Sequence, residues 1–428
     1  MGAFAAPAFI RNLRAASPNE VVRHASFGAS GMANADLTSI VSHPKTKLVR
    51  VADVDRERAD ELKKKFPEIR VYQDWRQMLD KEHSNLDSVN VSTPDHMHAS
   101  MAMSSMQRGL HVYGQKPLTH DVYDSRRLAQ FAAEKKLITQ MGIQIHSHPT
   151  YRSAVQLIQE GAIGKVQSVH SWSNKKWGDE TSRPDRSDPI PANLDWDMWL
   201  GVCENRSFIG EGYYHPGNWR KRLDFGTGTF GDMGCHIFDP VFKALELTAP
   251  LTLHSTGPAP TAHNWANNAV VHLTFPQTKQ TIGPVVPITW YDGDRRPASD
   301  VTTPWLKNQP LPDQGSLFIG EKGAMLLPHV ENPILLPEAQ YKDFPRPKLD
   351  DINHWHRFVE AVRGNGTTSA HFGYAGPLTE SVLLGGIATF FPDQKLEWDA
   401  AKLQFKNKPD AARLLRRVPR KGWEVAGF

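Results

Sequence analysis

Between residues 21 and 145 short apolar runs alternate with stretches of helical period, and few folds accommodate that alternation. RHASFG, LVRVAD, LDSVNV, HVYG and LITQMGIQI read as strands. Helices are expected from near Met32, after Asp55 with Ala59, Leu62 and Phe66 on one face, after Pro94 as far as about Arg108, and over 119–136 with Val122, Leu128, Ala129 and Ala132 inward. Gly109 stands where a left-handed cap would end the third of these helices. This order predicts a parallel, doubly wound sheet, which presents its ligand-binding groups at the C-terminal ends of its strands.

Several of those strand ends carry chemistry. After RHASF come Gly28, Ser30, Gly31 and Ala33, with Met32 opening the helix; this is a degraded dinucleotide fingerprint whose small residues still let a pyrophosphate approach the backbone. The second strand ends in Asp53, near the position where such a fingerprint carries the acid that holds the adenine ribose, and this favours NAD over NADP. Asp55 suits the cap of the next helix, which leaves Asp53 free for that task. In GQKPLTH, Gly114 to His120, Pro117 cannot donate to a ladder and pushes Lys116 toward extended geometry, so the lysine stands at a strand exit.

The ordered set GASGMA, VADVD, STPDHMH, GQKPLTH and, far downstream, GDMGCHIFD resembles the Gfo/Idh/MocA oxidoreductases, from about residue 21 to the C-terminus. The resemblance implies an NAD-binding Rossmann domain over 21–145 and a C-terminal α/β domain over 146–428. The second domain would be built on a large, mostly antiparallel sheet, bind substrate and join copies into a homodimer or homotetramer. Two departures stand out: the glutamate usual before the lysine is Gln115, and the fingerprint lacks two of its glycines. Ser92, Thr93, Pro94, Gln115 and Gln144 complete the expected cofactor set, with His98 starting a helix near the nicotinamide. His146, at the exit of the last Rossmann strand, is expected to face the substrate cleft.

Asp232 and His236 are four residues apart and share a face if GDMGCHIFDPVFKAL is helical. In the resembling enzymes they join the lysine around the reacting carbon. Oxidising a secondary alcohol requires loss of the hydroxyl proton, which a near-neutral histidine can take while a lysine ammonium stabilises the developing alkoxide. His236 is therefore assigned as general acid/base and Lys116 as electrostatic stabiliser, or alternatively as the base itself. Asp232 would orient the site or a sugar hydroxyl.

Past residue 145 the pattern changes. A helix in YRSAVQLIQEGAIGK precedes the strand VQSVHSW; VVHLTF, PVVPITWYDG and the hairpin SLFIGEKGAMLLP read as further strands, and DINHWHRFVEAV as a helix. Such late, predominantly antiparallel strands fit an α+β domain docked on a Rossmann domain. Glycines 226, 228 and 231 would let the loop before the Asp232 helix pass close to a ligand. Trp172, Trp177, Trp196, Trp199 and Trp219 fall in a region expected to overhang the cleft, where indole faces suit sugar rings; Trp219 and Arg220 are the best cleft candidates.

A chain of 428 residues exceeds one usual hydrophobic core, and no apolar run approaches a membrane span. The net charge of +4 is spread along the chain; its one concentrated patch, Arg413 to Lys421, reads as a solvated helix end or subunit contact, not as a nucleic-acid site. The pairs His96/His98 and His146/His148 lack the remaining ligands of a zinc site, so no metal is expected. Residues 1–20 contain LRAAS, a small-residue pattern like a signal-peptidase site. They read either as the remnant of an export signal, which would place the enzyme in the periplasm with a tightly bound NAD, or as an N-terminal arm of a cytoplasmic one.

Three functions follow. The leading one is an NAD(H)-dependent oxidoreductase acting on a sugar, polyol or glycoside. The others are a glycoside hydrolase or lyase that oxidises, eliminates and re-reduces on the same NAD, and a non-catalytic sugar-binding relative.

Overall fold

The computed structural model describes residues 21–307 and 309–428, so the expected signal remnant or arm at 1–20 lies outside the described residues. The first part runs β1 (Val22–Phe27), α1 (Met32–Val41), β2 (Thr46–Ala52), α2 (Arg56–Lys65), β3 (Arg70–Tyr72), α3 (Trp75–Glu82), β4 (Ser88–Val91), α4 (Asp95–Gln107), β5 (His111–Gly114), α5 (Val122–Glu134) and β6 (Thr139–Met141). Its strands form an all-parallel sheet in the order β3-β2-β1-β4-β5-β6. β4 is buried on both faces, as a central strand covered by helices must be. LITQMGIQI pairs over only three residues: Met141 N–H leaves the edge to bond Ala370 O at 2.8 Å, and the chain turns into a 3₁₀ turn at Gln144–Ser147.

The second part runs α6 (Pro149–Gln159), β7 (Val166–Ser173), α7 (Trp196–Leu200), α8 (Gly228–Ala244), β8 (Thr252–Thr256), β9 (Val270–Pro276), β10 (Val285–Asp292), α9 (Ser299–Leu306), β11 (Gln314–Gly320), β12 (Ala324–Pro328), β13 (Ile334–Leu336), α10 (His354–Val362), α11 (Phe372–Ala388), β14 (Lys395–Asp399) and β15 (Gln404–Phe405). Its sheet has the order β13-β12-β11-β7-β10-β9-β8-β14-β15, antiparallel throughout except for the β7–β10 pair. One face carries α8 and α11, which cross at Phe230. A Cβ at residue 385 would come within 2.2 Å of that ring and one at residue 234 within 2.6 Å, so Gly234 and Gly385 set how closely the helices approach. On the opposite face Trp172, Tyr291, Leu317, Leu326 and Leu336 are buried with Leu306 of α9, while Thr252, His254, His272 and Thr274 remain partly open.

The late segments return to the first sheet. Phe358, Val359 and Val362 of α10 pack with Val22, Ile40 and Tyr113, and α11 lies along α5, where Ser125 Oγ donates to Gly376 O at 2.9 Å. Near the C-terminus Arg417 donates to Asp121 and to Asp224 O, each at 2.9 Å, Arg420 pairs with Asp197, and Arg127 reaches Gly427 O at 3.1 Å. The basic patch at 413–421 is therefore not simply a solvated end or subunit contact. Two of its arginines bind within the chain, and Arg417 neutralises the otherwise buried Asp121.

Candidate active site

The strand ends meet in one cleft of about 390 Å³ between the two sheets. At its entrance Gly28 has φ 98°, and a Cβ there would lie 2.7 Å from Ser92 O and 2.8 Å from Ala33 Cβ. Only glycine fits, and Ala33 occupies the third fingerprint position by packing against that bare Cα. Gly31 precedes α1 without a side-chain cap; Ala33 N–H turns back to Ser30 O at 3.1 Å, and no side chain caps the other first-turn amides.

Asp53 lies on the wall, accepting from Ala29 N–H at 2.8 Å and Asp55 N–H at 2.9 Å. Burial pushes its pKa up to about 6 against these bonds and the nearby Arg58. Asp55, expected only to cap a helix, makes no cap bond with its side chain. It anchors a strap from the second part instead: Asn193 Nδ2 donates at 2.7 Å, Arg58 Nε at 2.8 Å, and His215 Nε2 lies at 3.3 Å. Two main-chain bonds of 2.9 Å, Arg56 N to Asn193 O and Asp195 N to Val54 O, fix the same strap. Beyond it Met198, Trp199, His215, Pro216 and Trp219 roof the cleft over Val54, Gln73 and Trp75.

The inner end gathers the reactive groups. Lys116 Nζ donates to Asp232 Oδ1 at 2.5 Å and to Asp232 O at 2.9 Å, which leaves one ammonium N–H for a ligand oxygen. Arg220 Nε reaches the same carboxylate at 3.3 Å, and its guanidinium lies 4.3 Å over Trp219. Burial alone would raise the pKa of Asp232, but Lys116 and Arg220 outweigh it and hold the carboxyl well below the usual carboxylate range. One turn on, His236 is buried with Nδ1 lacking a protein partner. Burial first, then Lys116, drives its pKa well below 6.5, so the imidazole is neutral and able to accept a proton. Ser92, Thr93, Pro94, Gln115 and Gln144 line this part of the cleft, and Ser30, Gly31 and Met32 its outer part.

Several expected positions lie elsewhere. His98 does not start α4; it sits inside the first turn, buried, with both ring nitrogens 2.8 Å from the carbonyls of Thr93 and Pro117. It braces two strand-end loops from behind and does not reach the cleft. His146 is likewise turned away: its Nδ1 meets Asp239 Oδ1 at 2.8 Å and its ring packs on Tyr374. The glycines at 226, 228 and 231 accommodate protein rather than ligand, namely the Arg220 backbone, Trp265 and Thr227, because α8 already begins at Gly228. Trp172 belongs to the far face of the sheet, Trp196 stacks behind Trp199 at 4.8 Å, and Trp177 lies 5.4 Å from the Arg220 guanidinium.

The sequence reading missed Arg58, Trp75, Met198 and His215 on the cleft wall. Arg58 was within reach, since it stands one turn beyond Asp55 on the same helix face. The strap residues carry no local signal, because their place depends on a pairing across the whole fold.

The Gfo/Idh/MocA model described as an oxidoreductase family with an NAD-binding Rossmann fold matches residues 22–143, and that of the family's C-terminal alpha/beta domain matches 158–277. The chain belongs to the Gfo/Idh/MocA oxidoreductase family. This family member is 22% identical over 189 residues to a levoglucosan dehydrogenase of Pseudarthrobacter phenanthrenivorans, a match covering 44% of the chain and 40% of the relative. It is 29% identical over 126 residues to a scyllo-inositol 2-dehydrogenase (NAD(+)) of Bacillus subtilis, covering 29% of the chain and 36% of the relative. The chain thus spans less than half the length of these curated relatives. Its fold is shared over 89% of the chain and 97% of GenD2 from gentamicin A biosynthesis, solved with NAD, at TM-score 0.59 and 17% identity. The WlbA dehydrogenase of Bordetella pertussis, solved with NADH and UDP-GlcNAcA, aligns at TM-score 0.62 and 14% identity, over 89% of this chain and 99% of that one.

The residues present fit a dinucleotide: a cradle that a Cβ at Gly28 would fill, an uncapped helix start, and an acid on the cleft wall. Gly28, Gly31 and the α1 amides would hold the diphosphate, Asp53 the adenine ribose, and Ser92, Pro94 and Gln115 the inner end.

Proposed function

We propose that this Gfo/Idh/MocA member is an NAD(H)-dependent oxidoreductase acting on a hydroxyl or carbonyl of a sugar, polyol or glycoside. The carrying observation is that Lys116, Asp232 and His236 converge at the inner end of the cleft whose outer end holds Asp53. Bound NAD supplies the two-electron acceptor. Lys116 directs its remaining N–H at the substrate oxygen and stabilises negative charge there. Neutral His236 takes the hydroxyl proton. Asp232, held ionised, keeps Lys116 and Arg220 in place, and Trp219 offers an indole face beside them. The named sugar and polyol dehydrogenases among the relatives support this substrate class.

The strap on Asp55 favours a nucleotide that stays bound between turnovers, and LRAAS favours export to the periplasm, where a retained NAD would be regenerated by a second substrate or by the same sugar after elimination. The open part of the second sheet, around His254 and His272, suits contact between copies in a homodimer or homotetramer. The test is to dialyse the purified protein, release and identify its nucleotide by mass spectrometry, and follow its reduction by a panel of sugars, polyols and glycosides without added NAD. Reduction by one substrate class is expected. A protein that binds no nicotinamide nucleotide would refute the reading, and one that works only with NAD supplied stoichiometrically would refute retention.

A further inference from the structure

Asp36, on α1, is a fully buried carboxylate whose hydrogen-bond donors are neutral. Ser92 Oγ and Gln115 Nε2 each donate to its Oδ2 at 2.8 Å, and Trp355 Nε1 donates to its Oδ1 at 3.0 Å. Two of these donors, Ser92 and Gln115, line the cleft at the Lys116 end. Gln115 is held from both sides, since its Oε1 accepts from Lys116 N–H at 3.2 Å. Its amide also occupies a seat made by Gly142: a Cβ at that position would lie 2.4 Å from Gln115 Nε2. An ionised carboxylate only accepts and an N–H only donates, so this pair of partners allows the Gln115 amide a single orientation. The second Nε2 hydrogen is left for a ligand.

We propose that Asp36 is a positioning residue for the nicotinamide end of the cofactor, acting through Gln115 and Ser92 without touching the reacting atoms. This rests on the NAD reading above, which places the nicotinamide beside Lys116 and His236. It also gives physical content to glutamine at 115: a Glu there would set two carboxylates at hydrogen-bond distance in a buried seat.

Calorimetric titration of the full protein, freed of nucleotide, with NAD and with ADP-ribose, which lacks the nicotinamide, separates this role from a merely structural one. Asp36→Asn leaves one accepting oxygen for three donors, Trp355 on one side and Ser92 and Gln115 on the other, so the Gln115 amide loses its fixed acceptor; the substitution should weaken NAD about tenfold or more while leaving ADP-ribose within about twofold of wild type. Gln115→Glu alone should weaken NAD similarly. The double variant Asp36→Asn/Gln115→Glu restores a donor facing a carboxylate and should bring NAD back to within about threefold of wild type. Equal effects on both ligands in Asp36→Asn, or no recovery in the double variant, would overturn the assignment. A wild-type protein that binds ADP-ribose but gains nothing from the nicotinamide would sink the oxidoreductase reading and this inference together, whereas losses confined to the variants leave that reading intact.

Discussion

At the residue scale the site depends on one charge held by another. Lys116 is fastened by Asp232, so Lys116→Ala should leave nucleotide content unchanged and lower turnover at least a hundredfold, the order expected when a charge aimed at a reacting oxygen is lost. Single-turnover reduction of the bound nucleotide checks this, and near-normal turnover would remove Lys116 from the mechanism. Asp53 governs the other end of the cleft, with Arg58 nearby and bonded to Ser30 Oγ at 2.5 Å. Asp53→Ala should weaken NAD and relax discrimination against NADP, because the 2′-phosphate then meets a guanidinium without a carboxylate beside it. Unchanged preference in a competition titration would assign cofactor choice to another residue. Lys116 was legible because it stands at a strand exit beside Pro117, and Asp53 because it ends the apolar run of β2 downstream of the Gly28 turn. His98 and His146 stand at similar places, yet their rings turn inward to carbonyl and carboxylate partners that only the folded chain supplies.

Among the elements, what could be read was what has a period or a stop. The β1–α1–β2 unit and α10 carry an apolar stripe or a terminal glycine. α11 was not read at all: Gly373, Gly376, Pro377, Gly385 and Gly386 interrupt it, and it is buried on nearly every side between α5 and α8, so no polar face marks its turns. Its glycines are instead packing choices. Gly385→Ala drives a methyl into Phe230, whose ring stacks on Trp290 at 4.8 Å, and should cost about 1–3 kcal/mol of unfolding free energy. Because Phe230 and Asp232 share α8, the same substitution should also lower activity. Urea unfolding together with a turnover assay measures both, and an unchanged midpoint would show that the crossing has slack.

For the molecule as a whole, buried histidines set the response to acid. Burial lowers His24, His111, His170 and His329 to about 4 and His354 to about 3, and drives His96 and His236 well below 6.5, so below their unfolded value near 6.5 the unfolded chain binds protons that the folded one refuses. Buried carboxylates oppose this: Asp36 and Asp53, raised to about 6, Asp292, raised to about 7, and Asp124, raised to about 8, favour the folded state as the pH falls from 7 toward 4. The displaced histidines outnumber these carboxylates, so the urea midpoint should fall between pH 7 and pH 5; a midpoint that rises over that interval would reverse the sign. The path of the chain has a separate consequence. It leaves the first sheet after β6, builds the second, and comes back with α10, α11 and the last residues to cover Tyr113, α5 and Asp121. A nucleotide-binding half therefore cannot be transplanted from a relative through a single junction near residue 145. A working chimera must carry its own returning segments, and recombination that ignores them would join two halves whose mating surfaces were never matched.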